Sequence, residues 1–228
     1  MRAFVLGNGP SLNDVPFDRL KNEFTIGMNR IHLMIHKNPH WMPSVYVKTD
    51  HNPALRHVWA RETLFMIGNV EKCYLWDQFA TGYPADHPNF ETMPYGVGDQ
   101  WTNVEWVPRC EHHHWAYYSN ENKKSKAWHL PEFCTAYSGI GPAMQAAVKE
   151  GADEIFLLGA DLGYGRGKGK DHFDEEYDQG SRRLGDFDTF SVLEAHKIAK
   201  ASCPIPIYNA TPGSKLDLYP KVDLMEIL

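Results

Sequence analysis

Cysteine is scarce: Cys73, Cys110, Cys134 and Cys203 are scattered through 228 residues, with no C-x-x-C pair among them. Such a distribution points to a reducing compartment and away from a disulfide framework. Basic runs are also missing. The formal net charge is -6 with both signs interspersed, which argues against nucleic acid as a partner, because that affinity rests on Lys and Arg neutralising phosphates. No apolar run approaches the roughly 20 residues that a membrane span requires. The first, Phe4-Val5-Leu6, is only a strand's length before it meets glycine, so no signal peptide is read either. These absences leave a cytoplasmic protein with a small-molecule ligand as the expectation.

What the chain does contain is a series of short apolar segments that end in polar residues. Phe4-Val5-Leu6 suits a buried parallel strand and runs directly into Gly7-Asn8-Gly9-Pro10-Ser11. Glycines in such a turn let the backbone approach a ligand closely, and Pro and Ser can open a helix whose free amides face an anion. The turn is a phosphate or nucleotide cradle in outline, or a tight strand-to-helix connection with no ligand. It matches neither the full Gly-x-Gly-x-x-Gly fingerprint nor a Walker loop.

Further strands are predicted at Phe24 to Met28, delivering Asn29 and Arg30, at Ser44 to Lys48, delivering Asp50, and at Leu64 to Ile67 and Cys73 to Trp76. A short helix or turn falls at Asp14 to Lys21 and another at Ile31 to Ile35, and Asn52-Pro53 starts a helix through about Arg61. Strands alternating with connections favour a mostly parallel sheet. From 77 to 131 that rhythm disappears into Trp, Tyr, His, Pro and Asn, so this stretch reads as an irregular, aromatic-rich lid or insertion on a single α/β domain spanning 1–228. Within it Cys110-Glu111-His112-His113-His114 invites a metal, but neighbours on a strand point to opposite faces and no second ligand pair at zinc-like spacing follows. An exposed polar turn, or one His reaching the ligand from the lid, fits better, and no metal residues are assigned.

Order returns with Ser138-Gly139 at the entry of a helix through Glu150, with Pro142 in its first turn and Gly151 as its stop. Glu154 to Gly159 is the clearest buried strand and ends at Ala160-Asp161. Ligands of open α/β sheets sit beyond the carboxyl ends of the strands, so Asn8, Asn29, Asp50, Ser138 and Asp161 are expected along one crevice. The glycine-rich, basic segment from Gly163 to Phe173 folds over phosphates or is a solvated loop. A helix over Phe190 to Ala201 and a short strand at Pro206 to Tyr208 complete the pattern.

Gly7-Asn8-Gly9-Pro10-Ser11-Leu12, Gly27-Met28-Asn29-Arg30, Ser138-Gly139 and Gly151-Ala152-Asp153-Glu154-Ile155 through Gly159-Ala160-Asp161 together resemble two related groups. One is the small bacterial sialyltransferases, which use a CMP-sugar on a Rossmann-like sheet. The other is the 6-hydroxymethylpterin diphosphokinase-like family, whose uncharacterised members occur near surface-polysaccharide and flagellin-glycosylation functions. Asn209 to Leu216, Pro220 to Asp223 and His172-Phe173 resemble this second group most closely. The first resemblance implies that Asn8 and Asn29 contact the nucleotide, that Ser138-Gly139 hold nucleotide and sugar carboxylate, that His172 is the general base and that Tyr164 stabilises the leaving phosphate. Tyr164 is slightly displaced from the family position, and the Cys134-Thr135 region stands where the family has an Arg.

Two chemistries follow from these resemblances. An inverting glycosyltransferase would take a nucleotide-linked sugar and a small-molecule or glycan acceptor, needs no metal cofactor, and uses an imidazole as base, a group whose ordinary pKa near 6.5 suits the task. A diphosphokinase would move pyrophosphate from ATP to a hydroxymethyl-pterin, with Asp161, aided by Asp50 or Asp171, holding Mg²⁺. A non-catalytic nucleotide-binding relative is the third reading, and a homo-oligomer is compatible with all three.

Overall fold

Arg2–Leu6 (β1), Phe24–Met28 (β2), Val45–Lys48 (β3), Lys72–Trp76 (β4), Val104–Val107 (β5), Glu154–Leu158 (β6) and Ile207–Asn209 (β7) form a seven-stranded sheet in the order β5-β4-β3-β2-β1-β6-β7. Every pairing is parallel. The computed structural model describes residues 1–49, 56–82, 97–108, 128, 133, 138–163, 171–178 and 186–228. Its helices are Phe17–Leu20 (α1), His32–Lys37 (α2), Arg56–Asn69 (α3), Gln78–Thr81 (α4), Ile140–Lys149 (α5), Asp186–Ser202 (α6) and Leu224–Ile227 (α7).

The central strands are apolar in unbroken runs because both faces of the sheet are covered. On one face Phe4, Leu6, Tyr46, Leu75 and Leu158 pack with Leu20, Ile31, Met34 and Met66 from α1, α2 and α3 and the turn before α2. On the other, Ala3, Val5, Ile26, Val47 and Leu157 meet Ala143, Met144 and Ala147 of α5 and Ala199 of α6. Small side chains on α5 let it lie close over the middle of the sheet, and Ala143, Ala146 and Ala147 are fully buried. Gly151 at φ +80° ends that helix in the left-handed conformation that glycine accepts most readily.

Two elements differ from the sequence reading. Leu64 to Ile67 lies inside α3, not in a strand: Thr63, Met66, Ile67 and Val70 are buried and Leu64 is 41% exposed, the spacing of a helix face. The stretch read as an irregular insertion supplies α4 and the edge strand β5, whose first three residues are only half-buried. Of 77–131, residues 77–82, 97–108 and Trp128 are described, and the rest, including His112 to His114, lies outside the described residues.

From β1 the chain steps outward through β2, β3, β4 and β5, then returns to the other side of β1 for β6 and β7. The order therefore reverses between β1 and β6, and the crevice beyond their carboxyl ends is the place where such sheets bind ligands.

Candidate functional site

At the reversal, the two strand ends are bound to each other. Gly7 N donates to Leu158 O at 2.7 Å and Gly9 N to Gly159 O at 2.9 Å. The glycines are needed for space: a Cβ at Gly7 would lie 2.4 Å from Gly159 O, and one at Gly9 would lie 2.0 Å from Asp161 Oδ2. Pro10–Asp14 forms a single 3-10 turn, with Pro10 at its first position and Leu12 N donating to Gly9 O at 3.1 Å. Asp161 caps this turn, its Oδ2 accepting from Ser11 Oγ at 2.6 Å and its Oδ1 from Ser11 N at 3.3 Å. The amides of Gly7, Gly9, Ser11 and Leu12 are thus taken by acceptors within the protein, and a carboxylate stands where the cradle reading placed an anionic ligand.

The ends of the neighbouring strands are built differently. Asn29, just past β2, has φ +52°, and Leu162, just past Asp161, has φ +55°, a conformation that is strained for a non-glycine residue. Asn29 is held there by its N donating to Val47 O at 3.2 Å and by Tyr46 Oη donating to its carbonyl at 2.8 Å. Its side chain lies against the entry of α5, where a Cβ at Gly139 would be 2.9 Å from Asn29 Nδ2. Ser138 Oγ accepts from Ile140 N at a long 3.4 Å, and Gly139 is the residue that caps α5. Asn8 Oδ1, Asn29 Oδ1 and Thr49 Oγ1 are buried with no hydrogen-bond partner. They stand past the ends of β1, β2 and β3, three adjacent strands, and each such unpaired group costs about 1–3 kcal/mol.

Residues 171–178 close over this edge. Phe173 N donates to Asn8 O at 3.1 Å, while Phe173 O accepts from Asn13 Nδ2 at 2.9 Å and Lys37 Nζ at 3.0 Å. Lys37 also pairs with Asp174 at 2.9 Å. Burial raises the Asp174 carboxyl, but Lys37 and the amide of Glu176 outweigh it and hold the group below the ordinary range. His172 is half-buried, and its ring stacks on Tyr177 with centroids 3.9 Å apart and planes within 14°.

Beneath this segment lies a charged cluster. Arg30 donates from Nε and Nη2 to Glu62 Oε1, at 2.9 and 2.6 Å, and from Nη1 to the carbonyls of Glu176 and Tyr177, the latter at 3.1 Å. His32 Nε2 is 3.3 Å from Glu62 Oε1. Burial first, and then the Arg30 charge, lower the His32 pKa to about 3. The imidazole is therefore neutral at pH 7, and its contact with Glu62 is not an ion pair. Cys73, pushed up to about 12 by burial, is an inert core thiol.

The structure thus gathers Gly7, Asn8, Gly9, Pro10, Ser11 and Asp161 at the β1/β6 end and brings Asn29 against Gly139, the residue after Ser138, while Phe173, the residue after His172, is hydrogen-bonded to Asn8. Asp50 and Tyr164 lie outside the described residues. No grouping of three or more His, Cys, Asp or Glu that could hold a metal occurs among the described residues, and no helix there is long and apolar enough to cross a membrane. Sequence reasoning missed Thr49, His32 and Glu62. For Glu62 a signal exists: it is a carboxylate on the buried face of α3, beside Thr63 and one turn before Met66.

The fold defines an α/β protein of Rossmann-like type, with an all-parallel sheet covered by helices on both faces. Comparison with solved structures finds the same arrangement in the MAf glycosyltransferase from Magnetospirillum magneticum AMB-1, with a TM-score of 0.57 at 17% identity over 97% of this chain. The chain spans 33% of that protein's length. The sialyltransferase CstII from Campylobacter jejuni, solved with cytidine-5'-monophosphate as a substrate analogue, aligns at a TM-score of 0.49 and 15% identity over 97% of this chain and 84% of its own. No protein-family model and no curated protein matches the chain.

Proposed function

We propose that the chain is a nucleotide-dependent transferase of glycosyltransferase type, with the nucleotide of a sugar donor held between the end of β2 and the entry of α5. The observation that carries this reading is the row of unpaired buried polar atoms, Asn8 Oδ1, Asn29 Oδ1 and Thr49 Oγ1, at the carboxyl edge beside the reversal of strand order. Acceptors of this kind suit the hydroxyl and amino donors of a nucleoside, and satisfying them recovers a cost that the free protein bears. A glycosyltransferase built on the same sheet supplies the class of group transferred. A CMP-linked sugar is the first donor to test on the sequence resemblance, with no acidic group assigned to the sugar because Cys134-Thr135 stand where the family has an Arg.

In the proposed reaction the acceptor hydroxyl oxygen attacks the anomeric carbon as His172 takes its proton. The bond from that carbon to the phosphate oxygen breaks, and the nucleotide leaves with the electron pair. Asp161, with both oxygens on Ser11, shapes the crevice instead of handling the proton.

The test is a thermal-shift panel of CMP, CDP, UDP, GDP, ATP and pterin, with and without Mg²⁺, followed by transfer assays with the matching donors. A selective ligand at a hundredfold excess over its Kd stabilises the protein by about 2.7 kcal/mol. His172→Ala is expected to lower kcat by roughly 10²- to 10⁴-fold with nucleotide affinity unchanged. Wild-type turnover in that variant would remove His172 from the mechanism. Stabilisation by ATP and pterin only when Mg²⁺ is added would replace glycosyl transfer with the diphosphokinase reading.

A further inference from the structure

The Arg30 cluster is separate from the row of unpaired atoms and is joined to residues 171–178. The left-handed turn at Asn29 sends two consecutive side chains in different directions, Asn29 towards the entry of α5 and Arg30 towards α3 and residues 171–178. Arg30 is only 6% exposed, and a buried guanidinium is retained only with its charge and donors matched. Glu62 does this on one side. The other side of the fork grips two consecutive backbone carbonyls of the 3-10 turn Glu175–Asp178, with the guanidinium carbon 5.8 Å from the Tyr177 ring centroid. Tyr177 in turn carries the His172 ring on its face.

We propose that Arg30 and Glu62 form a buried clasp that positions His172, by fixing the backbone and ring of Tyr177 on which the imidazole is stacked. The inference rests on the reading of His172 as the base, and Arg30 is a positioning residue that touches no reacting atom. Its planar fork is what the task requires. A lysine keeps the charge but cannot span a carboxylate on one side and two carbonyls on the other. The sequence separation is also informative: Arg30 follows the end of β2, whereas the carbonyls that it holds lie more than 140 residues further along the chain. The clasp, with Lys37 on Asp174 and Asn8 on Phe173, ties residues 171–178 to the sheet. Holding an imidazole to one orientation matters because small misplacements of a catalytic group are felt strongly in rate.

The test reads the ring directly, in the full chain and without substrate. The Hε1 proton NMR signal of His172 is assigned by its loss in His172→Ala, and its position with the stack removed is set by Tyr177→Leu. Arg30→Lys is expected to move the His172 signal most of the way to its Tyr177→Leu position, and Glu62→Gln to move it less in the same direction. Glu62→Gln keeps the cluster testable if Arg30→Lys does not fold. In transfer assays Arg30→Lys should lower kcat by roughly 10- to 100-fold with little change in donor KM, and should have no further effect in a His172→Ala background. A His172 signal at its wild-type position in whichever variant folds overturns the clasp. Failure of the wild-type protein to transfer any sugar overturns the reading of His172 as base and leaves the spectroscopic result to stand on its own.

Discussion

The two strand ends that flank β1 are built on opposite plans. On the β6 side glycine amides rest on carbonyls, Ser11 on Asp161 and Lys215 N on Asp161 O, and of the described residues in that group only Asn8 Oδ1, on the β1 turn, is buried unpaired. On the β2 and β3 side, the Asn29 carboxamide oxygen and the Thr49 hydroxyl are buried without partners, while left-handed backbone occurs on both sides, at Asn29 and at Leu162. The first side looks like the ligand cradle in the sequence, because glycines between a strand and a turn are what a cradle requires. Its glycines serve close packing between two loops. Most of the polar atoms left for a ligand are on the second side, where one Asn after Gly-Met gives no pattern to recognise.

The largest effect that would break this contrast is at Gly9. Gly9→Ala puts a methyl group into the Asp161 carboxylate and is expected to cost about 3 kcal/mol or more of stability, read as a lower urea midpoint at constant m. A loss under about 1 kcal/mol would mean that the closed side has slack.

Acid supplies the next test, on the second side. His32 faces Glu62, Arg30, His36, Lys48 and Asp174, and its folded pKa of about 3 lies below the ordinary value of 6.5. The unfolded chain therefore binds the proton first, and the stability due to a neutral His32 is complete above pH 6.5 and is lost as pH falls towards 3. The slope is at most about 1.4 kcal/mol per pH unit. Urea midpoints between pH 7 and pH 5 should fall more steeply in wild type than in His32→Gln. His196, lowered to about 4 by burial on the other face of the sheet, adds a slope of the same sign to both proteins. Identical slopes would show that the cluster admits solvent.

The smallest stability change and the sharpest contrast belong to Asn29→Gly. Glycine accepts φ +52° without strain, so stability should stay within about 1 kcal/mol of wild type, while affinity for the stabilising nucleotide falls about tenfold with the loss of one hydrogen bond. Unchanged affinity would take Asn29 out of the binding site.

Much of the sheet was legible because its strands are short apolar runs that end in polar residues. β1, β2, β3, β4, β6 and β7 fall within a residue or two of where those runs lie. Leu64-Phe65-Met66-Ile67 misled for a physical reason: four apolar residues in a row have no period, and the helical set Thr63, Met66, Ile67 and Val70 emerges only when the polar neighbours are counted. β5 was hidden because an edge strand with half-buried residues needs little apolar character. At the site, Asn8, Asn29 and Asp161 could be read at strand ends and Ser138 at a helix entry. The pairing of Asp161 with Ser11, and of Arg30 with Glu62 and the Tyr177 carbonyl, could not, because a sequence does not show which distant polar residues satisfy each other.

The pairing of β1 with β6 also bears on how the chain is made. Leu6 pairs with Leu158, so β1 leaves the ribosome some 150 residues ahead of the partner on that edge, roughly 8 to 30 seconds at ordinary elongation rates. During that interval β1 can pair only with β2, and its other edge is an open row of backbone donors and acceptors beside apolar side chains. Nascent chains stalled before β6 should be the most chaperone-dependent and aggregation-prone form of this protein, and release of the segment through Leu158 the point at which protease resistance first appears.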